Sequence, residues 1–193
     1  MRAITVLCMA LLSVSGCAGV RQLAALHQVE FRFDRIADPH LSGIKLSGIH
    51  SLEDISPLDL GRLALGIAAK DVPLDLTVHV VGKNPETNSV VARLVGLDWS
   101  YLIDKRELAS GRLTEGMEFP PGKSIDVPVR VTVNLVDFFG TDGKSLVETA
   151  LALTGQRTAT HSVTMRLQPV IETSMGPVRY PVPIDLDLVS AGR

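Results

Sequence analysis

The sequence predicts a mainly β protein: an antiparallel β-sandwich with one or two short helices. Apolar and polar residues alternate at Val29, Phe31 and Phe33, at Leu74, Leu76, Val78 and Val80, and at Ile125, Val127, Val129, Val131, Val133 and Leu135. That period of two puts every second side chain on one face of a strand. Turn signals separate the runs, among them Asn84-Pro85, Pro120-Pro121-Gly122 and Asp142-Gly143. Helical patterns do not follow each strand, as the crossovers of a parallel sheet require, so about seven antiparallel strands in two layers are expected. A ligand-holding barrel is the alternative.

Taken in order, Val29–Phe33 begins a first strand that Pro39 ends, and Leu41–Ile49 (LSGIKLSGI) gives a second strand broken by glycine. Ser56-Pro57 opens a helix, because serine accepts from the free amides at an N-cap and the fixed φ of proline suits the first helical position. Leu60, Leu63, Ala64 and Ile67 then fall at i, i+3, i+4 and i+7 and make one apolar stripe, expected to cover a sheet or its edge. Asp71-Val72-Pro73 leads into the strand of Leu74–Val80. Gly82-Lys83-Asn84-Pro85 stops it, since proline cannot donate to a ladder and biases the preceding Asn84 away from the helical region.

Val95, Leu97, Trp99, Tyr101 and Ile103 are expected to face inward, Asp104–Glu107 to turn the chain, and Leu108–Leu113 to return. Pro128 lies on the opposite face of the Ile125–Leu135 strand and marks an edge position or a bulge. Ser145-Leu146-Val147-Glu148 matches a capping box, for a helix through Leu146, Ala150 and Leu153 to Gly155. Val163, Met165 and Leu167 make another strand, and Ile184, Leu186 and Leu188 the last.

The N-terminus reads as an export segment. Met1-Arg2 precedes the apolar run Ala3–Leu12 and the small residues Ser13–Gly16, the order of a secretory signal. A ten-residue run is too short to span a bilayer, which takes about twenty apolar residues. Val14-Ser15-Gly16-Cys17 resembles the bacterial lipobox, which implies cleavage before Cys17 and acyl chains such as palmitate on its sulfur and its new amino group. Two or three such chains give stable anchoring, at roughly 0.8 kcal/mol per buried CH2. Ala18, where an aspartate would favour the inner membrane, implies the periplasmic face of the outer membrane. The expected division is a signal over 1–16, the lipidated Cys17 with a tether through residue 26, and a folded domain over 27–189. Fully extended, Ala18–Leu26 reaches about 30 Å.

Composition excludes several functions. Of the 193 residues, 46% are hydrophobic and 21% charged, enough for a core and too apolar for wholesale disorder. The expected mature chain loses only Arg2 among its charges, leaving 18 basic against 21 acidic residues, a net charge of -3. That balance, with 4% aromatic residues, argues against nucleic acid as a partner. Both cysteines, Cys8 and Cys17, lie at the N-terminus, so the body has no disulfide, thiolate metal site or cysteine nucleophile.

The motifs that tempt a catalytic reading fail on spacing. Gly122–Ser124 and Gly143–Ser145 repeat Gly-Lys-Ser, but a phosphate loop needs a glycine five residues ahead, where Met117 and Phe138 stand. His27, His40, His50, His79 and His161 show no metal-ligand spacing. His79 is expected to be exposed or half-covered, opposite Leu76, Val78 and Val80. No Gly-x-Ser-x-Gly elbow is present. Asp185 and Asp187 share a strand face, but alternate with Ile184, Leu186 and Leu188 and read as solvated, as do Asp98 and Asp104. No catalytic residue, metal site or cofactor is expected.

At Asn84-Pro85 the chain resembles a known family. A strand ending in Asn-Pro, a short loop, Gly96-Leu97-Asp98-Trp99-Ser100-Tyr101, then Ala109-Ser110-Gly111, Pro120-Pro121-Gly122 and the valine-rich Ile125–Leu135 is similar to the group 2 late-embryogenesis-abundant (LEA) proteins. That family carries the water-stress and hypersensitive-response (WHy) domain. The likeness runs from about Val29 to Leu188. Glu86 stands where the motif usually has asparagine, with Asn88 two places on, and Asp104–Glu107 lacks the usual glycine. The resemblance implies an immunoglobulin-like or fibronectin III-like sandwich, a role in desiccation or osmotic protection, and no catalytic residues. Asn84 and Pro85 carry over as motif positions, expected to terminate a strand and satisfy backbone groups through the Asn84 amide.

The expected function is therefore non-enzymatic: a lipid-anchored envelope protein that protects or binds envelope components under water stress. Its partners are the membrane, through the anchor, and envelope proteins or lipids. The alternative is an assembly or lipid-trafficking lipoprotein holding an apolar ligand between its sheets.

Overall fold

The computed structural model describes residues 21–158, 161–173 and 176–189. Two antiparallel sheets face each other. In the first, β1 (Glu30–Leu41) pairs β2 (Ile44–Lys45) on one side and β3 (Pro73–Lys83) on the other, and β3 pairs β8 (Ser124–Asn134). In the second, β5 (Gly96–Ile103) lies between β6 (Arg106–Leu113) and β9 (Val163–Thr173). The far side of β9 takes β10 (Gly176–Arg179) along residues 170–173 and β11 (Ile184–Val189) along 163–167. Pro181 and Pro183 fall in the gap between β10 and β11, where neither residue has an N–H to give the ladder. A two-stranded ribbon, β4 (Ala92–Leu94) with β7 (Met117–Phe119), sits at one end.

The alternation read from the sequence is the core. Leu74, Leu76, Val78 and Val80 of β3 and Val127, Val129, Val131 and Val133 of β8 are at most 3% exposed, and they face Leu97, Tyr101, Met165 and Leu167 across the sandwich. Each such Val or Leu removed from water contributes roughly 1.5–3 kcal/mol. β8 is an edge strand, and Pro128 sits in it opposite His79 with the β3 register unbroken, so the proline marks an edge and no bulge.

Helices close the other end. In α2 (Pro57–Ala69) the Ser56 hydroxyl accepts from the Asp59 amide at 3.2 Å, and Lys70 ends the helix at φ 56°. Its stripe is narrower than expected: Leu63 is buried, Leu60 and Ile67 are half-buried and Ala64 is exposed. The short α3 (Val136–Phe139) leads into α4 (Gly143–Leu153), which buries Leu146, Val147, Ala150, Leu151, Ala152 and Leu153. Its N-cap is Asp142, whose carboxylate accepts from the Ser145 amide at 2.9 Å, and not Ser145 as the capping-box pattern predicts. Asp142 serves because aspartate caps as well as serine does and lies one residue before the first helical position.

Other departures have local causes. β1 does not end at Pro39: it runs to Leu41 through an irregularity between Ala37 and His40, with Asp38 at φ 48°. Of the expected strand Leu41–Ile49, Leu41 ends β1 and only Ile44–Lys45 forms a strand of its own, because Ser42-Gly43 turns the chain back at once. Val95 precedes β5 and is 38% exposed, Trp99 is half-buried, and Leu102 is buried although it alternates with the inward set. The β5–β6 turn is the residue pair Asp104-Lys105, both at positive φ, a type I′ geometry without glycine. Residues 21–27, read as tether up to Leu26, form a helix (α1), with Ala25 and Leu26 in the core. The apolar run Ala3–Leu12 and the Val14–Cys17 stretch that resembles a lipobox lie outside the described residues.

Candidate functional site

Asn84 and Pro85 follow the last residue of β3, at the end of the sandwich away from α4. The Asn84 side chain is fully buried, and every polar group it carries is used. Its Nδ2 donates to the carbonyl of Phe119 at 2.7 Å and to that of Val90 at 3.1 Å. Its Oδ1 accepts from Asn88 Nδ2 at 2.8 Å. Asn88, 4% exposed, donates a second bond to the Ala25 carbonyl at 2.9 Å and accepts from the Val90 amide at 3.2 Å. The backbone joins in: Asn84 N–H donates to Lys123 O at 3.0 Å, and Gly122 N–H to Asn84 O at 2.8 Å.

Two amides thus tie four segments into one end: α1, the 84–91 loop, β7 and the Pro120–Lys123 turn. An amide suits the task because it offers two donors and an acceptor in one plane. Asn88, two places beyond Glu86, has Asn84 as its side-chain partner. Pro85 is half-buried and accepts from the Asn88 amide at 3.1 Å, closing the loop. Gly82, two residues upstream, lies so near Phe119 that a Cβ there would stand 2.4 Å from Cε1. All the hydrogen-bonding capacity of Asn84 points into the protein.

The remaining polar residues form separate pairs. His79 is 14% exposed on the outer face of the first sheet, and its Nδ1 lies 2.8 Å from Asp126. A carboxylate only accepts, so Nδ1 carries the proton there; Arg35 Nη2 stands 3.2 Å from the same nitrogen. His161 Nδ1 is 2.6 Å from Asp104, and the same carboxylate accepts from the Ser162 amide at 3.0 Å. His161 foremost, then the Ser162 amide, hold the Asp104 carboxyl below the usual carboxylate range. Ser162 Oγ also points at Asp104 and not at His161, so the three side chains do not form a nucleophile–base relay.

On the outer face of the second sheet, Asp98 is gripped by Arg112 and by Arg179, the latter at 2.6 Å. Arg112 first and Arg179 second pull its pKa down. Asp185 takes two bonds from Arg166, at 2.7 and 2.8 Å, which lower it likewise, while Asp187 accepts from Thr164 at 3.3 Å. These carboxylates alternate with core residues as the sequence implies, but Asp98, with its side chain only 18% exposed, is more enclosed than a solvated residue. Neither Gly-Lys-Ser triplet forms a phosphate loop: Gly122-Lys123 turns into β8, and Gly143–Ser145 is the first turn of α4. Inside the core, burial pushes the Tyr101 hydroxyl pKa up, and that hydroxyl has no hydrogen-bond partner among the described residues. Among those residues no three His, Cys, Asp or Glu side chains are grouped to hold a metal, and no helix is long and apolar enough to cross a membrane.

No family model matches the chain, and no curated protein matches it. Two solved structures are similar in part. The solution structure of a candidate late embryogenesis abundant (LEA) protein is 14% identical, with a TM-score of 0.39, over 98% of this chain and 87% of the other. The crystal structure of a protein from Archaeoglobus fulgidus is 9% identical, with a TM-score of 0.35, over 63% of this chain and 88% of the other. Likenesses of this size leave the family of the chain open.

Proposed function

We propose that the chain is a non-enzymatic envelope lipoprotein, anchored through Cys17 on the periplasmic face of the outer membrane, whose sandwich serves in protection against water stress. One observation carries the family part of this reading: motifs far apart in sequence interlock in space. Asn84 bonds to Phe119, Lys123 and Gly122, the approach and exit of Pro120-Pro121-Gly122. Trp99 of the Gly96–Tyr101 run pairs with Gly111 of Ala109-Ser110-Gly111, so closely that a Cβ on Gly111 would stand 2.6 Å from the indole Cζ2. An ordered motif set whose members need one another for packing is what a shared fold produces, and single chance matches do not. The lipobox-like Val14–Cys17 supports the anchor, and the Ser162 hydroxyl bonding to Asp104 instead of His161 supports the non-enzymatic part.

The anchor is tested by mass spectrometry of the protein from its own envelope. Acylated Cys17 as the first residue is expected; a soluble chain with unmodified Cys17 overturns it. Protection is tested by deleting the gene and scoring survival of drying and osmotic shock. Reduced survival, restored by the native gene and less well by Cys17→Ser, is expected, and unchanged survival contradicts the role. The alternative reading, an apolar ligand between the sheets, has one physical foothold. A recess of about 160 Å³ lies at the β1/β11 side, lined by Leu26, Val29, Phe31, Pro169 and Ile184, with His27 and Tyr180 beside it. Lipid co-purifying with the delipidated domain in native mass spectrometry favours that reading.

A further inference from the structure

The two sheets do not close along their β6 and β8 edges. A cleft of about 620 Å³ opens there, within the roughly 300–1,000 Å³ usual for small-ligand sites. Trp99 forms one wall, its indole fixed across Gly111, with Met117 and Pro128 beside it. The charged groups around these apolar surfaces are two of each sign. Arg112 is already paired with Asp98, and Asp126 with His79, while the side chains of Glu115 and Arg130 make no hydrogen bond or ion pair to any described residue. The indole N–H of Trp99 has no partner among the described residues either.

We propose that this cleft binds a neutral saccharide, with one pyranose ring against Trp99 and its hydroxyls shared between Glu115 and Arg130. The chemistry of the lining selects this class. A sugar ring has an apolar C–H face, which an aromatic surface covers, and an equatorial rim of hydroxyls. Each hydroxyl both donates to a carboxylate and accepts from a guanidinium, and charge-assisted bonds of this kind are the strong ones. The balance of two cations and two anions gives no preference for a charged ligand. An acyl chain fits poorly, because it would take Glu115 and Arg130 out of water without pairing either. An added peptide strand fits poorly as well, because Pro128 on the β8 edge has no N–H to offer it.

Trp99 is the single tryptophan of the chain, so selectively excited tryptophan emission reports on the cleft. The experiment titrates the full folded protein with glucose, cellobiose and chitotetraose, and in parallel with decanoate. The expected result is a saturable change in emission with a Kd of about 1 mM or tighter for at least one oligosaccharide, weaker for glucose. Saturation by chitotetraose alone assigns the source to an envelope-type glycan, and saturation by cellobiose as well assigns it to free disaccharides. Glu115→Gln and Arg130→Ala, both at exposed positions, are expected to weaken binding about tenfold while leaving the thermal midpoint unchanged, at a cost of about 1.4 kcal/mol each. No saturable response to any saccharide overturns the proposal. So does saturation by decanoate in place of sugar, and so does saccharide binding that both substitutions leave unaltered.

Discussion

The two ends of the sandwich are closed by opposite chemistry. At one end α4, packed beside α2, α3 and the Leu52–Asp54 turn, puts six buried residues, all apolar, into the core. At the other, two buried asparagines fill the same structural need with directed bonds to Phe119, Val90, Ala25 and each other. An apolar lid tolerates exchange of shape because dispersion and burial have no direction. A lid of amides tolerates none of it, because every donor and acceptor left unmatched in the interior costs about 1–3 kcal/mol. Asn84, Pro85 and the Pro120–Gly122 turn lie at the directional end.

Near-isosteric substitutions break this comparison most sharply. Asn84→Asp keeps the shape of the side chain and turns two donors into acceptors facing the carbonyls of Phe119 and Val90. It is expected to cost at least about 3 kcal/mol in urea unfolding near pH 7. Burial raises the pKa of the introduced carboxyl, so its deficit shrinks as pH falls and the group protonates. Leu151→Met at the apolar end is expected to cost less than about 1.5 kcal/mol. Equal costs at the two ends would refute the distinction.

Gly82→Ala comes next. Its Cβ would stand 2.4 Å from Phe119 Cε1 and 3.1 Å from Phe31 Cε1, so both rings must move, beside the Phe119 carbonyl that Asn84 uses. A loss of roughly 2 kcal/mol is expected. Asp142→Ala, which removes the cap of α4, is expected to cost about 1 kcal/mol and to leave the asparagine end intact by amide exchange. The smallest effect is acid sensitivity. Asp98 and Asp185 have folded pKa values held below their unfolded ones by arginines, so the stabilisation is complete above the unfolded value near 4 and is lost as pH falls through the folded values. Asp98→Asn should flatten that part of the curve and cost about 1 kcal/mol at neutral pH, since both arginines remain about half exposed.

Much of this was legible in the chain. The period of two gave the inner faces of β3, β8, β9 and β11 residue by residue, because a strand with one buried face leaves no freedom of register. Ser56-Pro57 gave the start of α2 for an equally local reason. What stayed hidden depends on contacts between distant segments. Asn88 reads as a loop asparagine until Asn84 and Ala25 are placed beside it. The helical 21–27 segment, with Leu23 half-buried and Ala25 and Leu26 buried, looks like a tether until Asn88, Val91 and Arg93 are seen to bond to it. Asp104-Lys105 turns without glycine because Ser162, just before β9 and 58 residues on, donates its amide to Asp104 across the sheet end. The Trp99 cleft is legible only once the β6 and β8 edges are seen to part.

A double-mutant cycle between Asn84 and Asn88 tests the central claim most directly. Asn84→Ala, Asn88→Ala and the double variant are compared by chemical unfolding. The two amides are 2.8 Å apart and share the Val90 backbone, so the account predicts a double variant less destabilised than the sum of the singles by at least about 1 kcal/mol. Strict additivity would contradict it, and would leave the two asparagines as independent loop residues at an end held by something else.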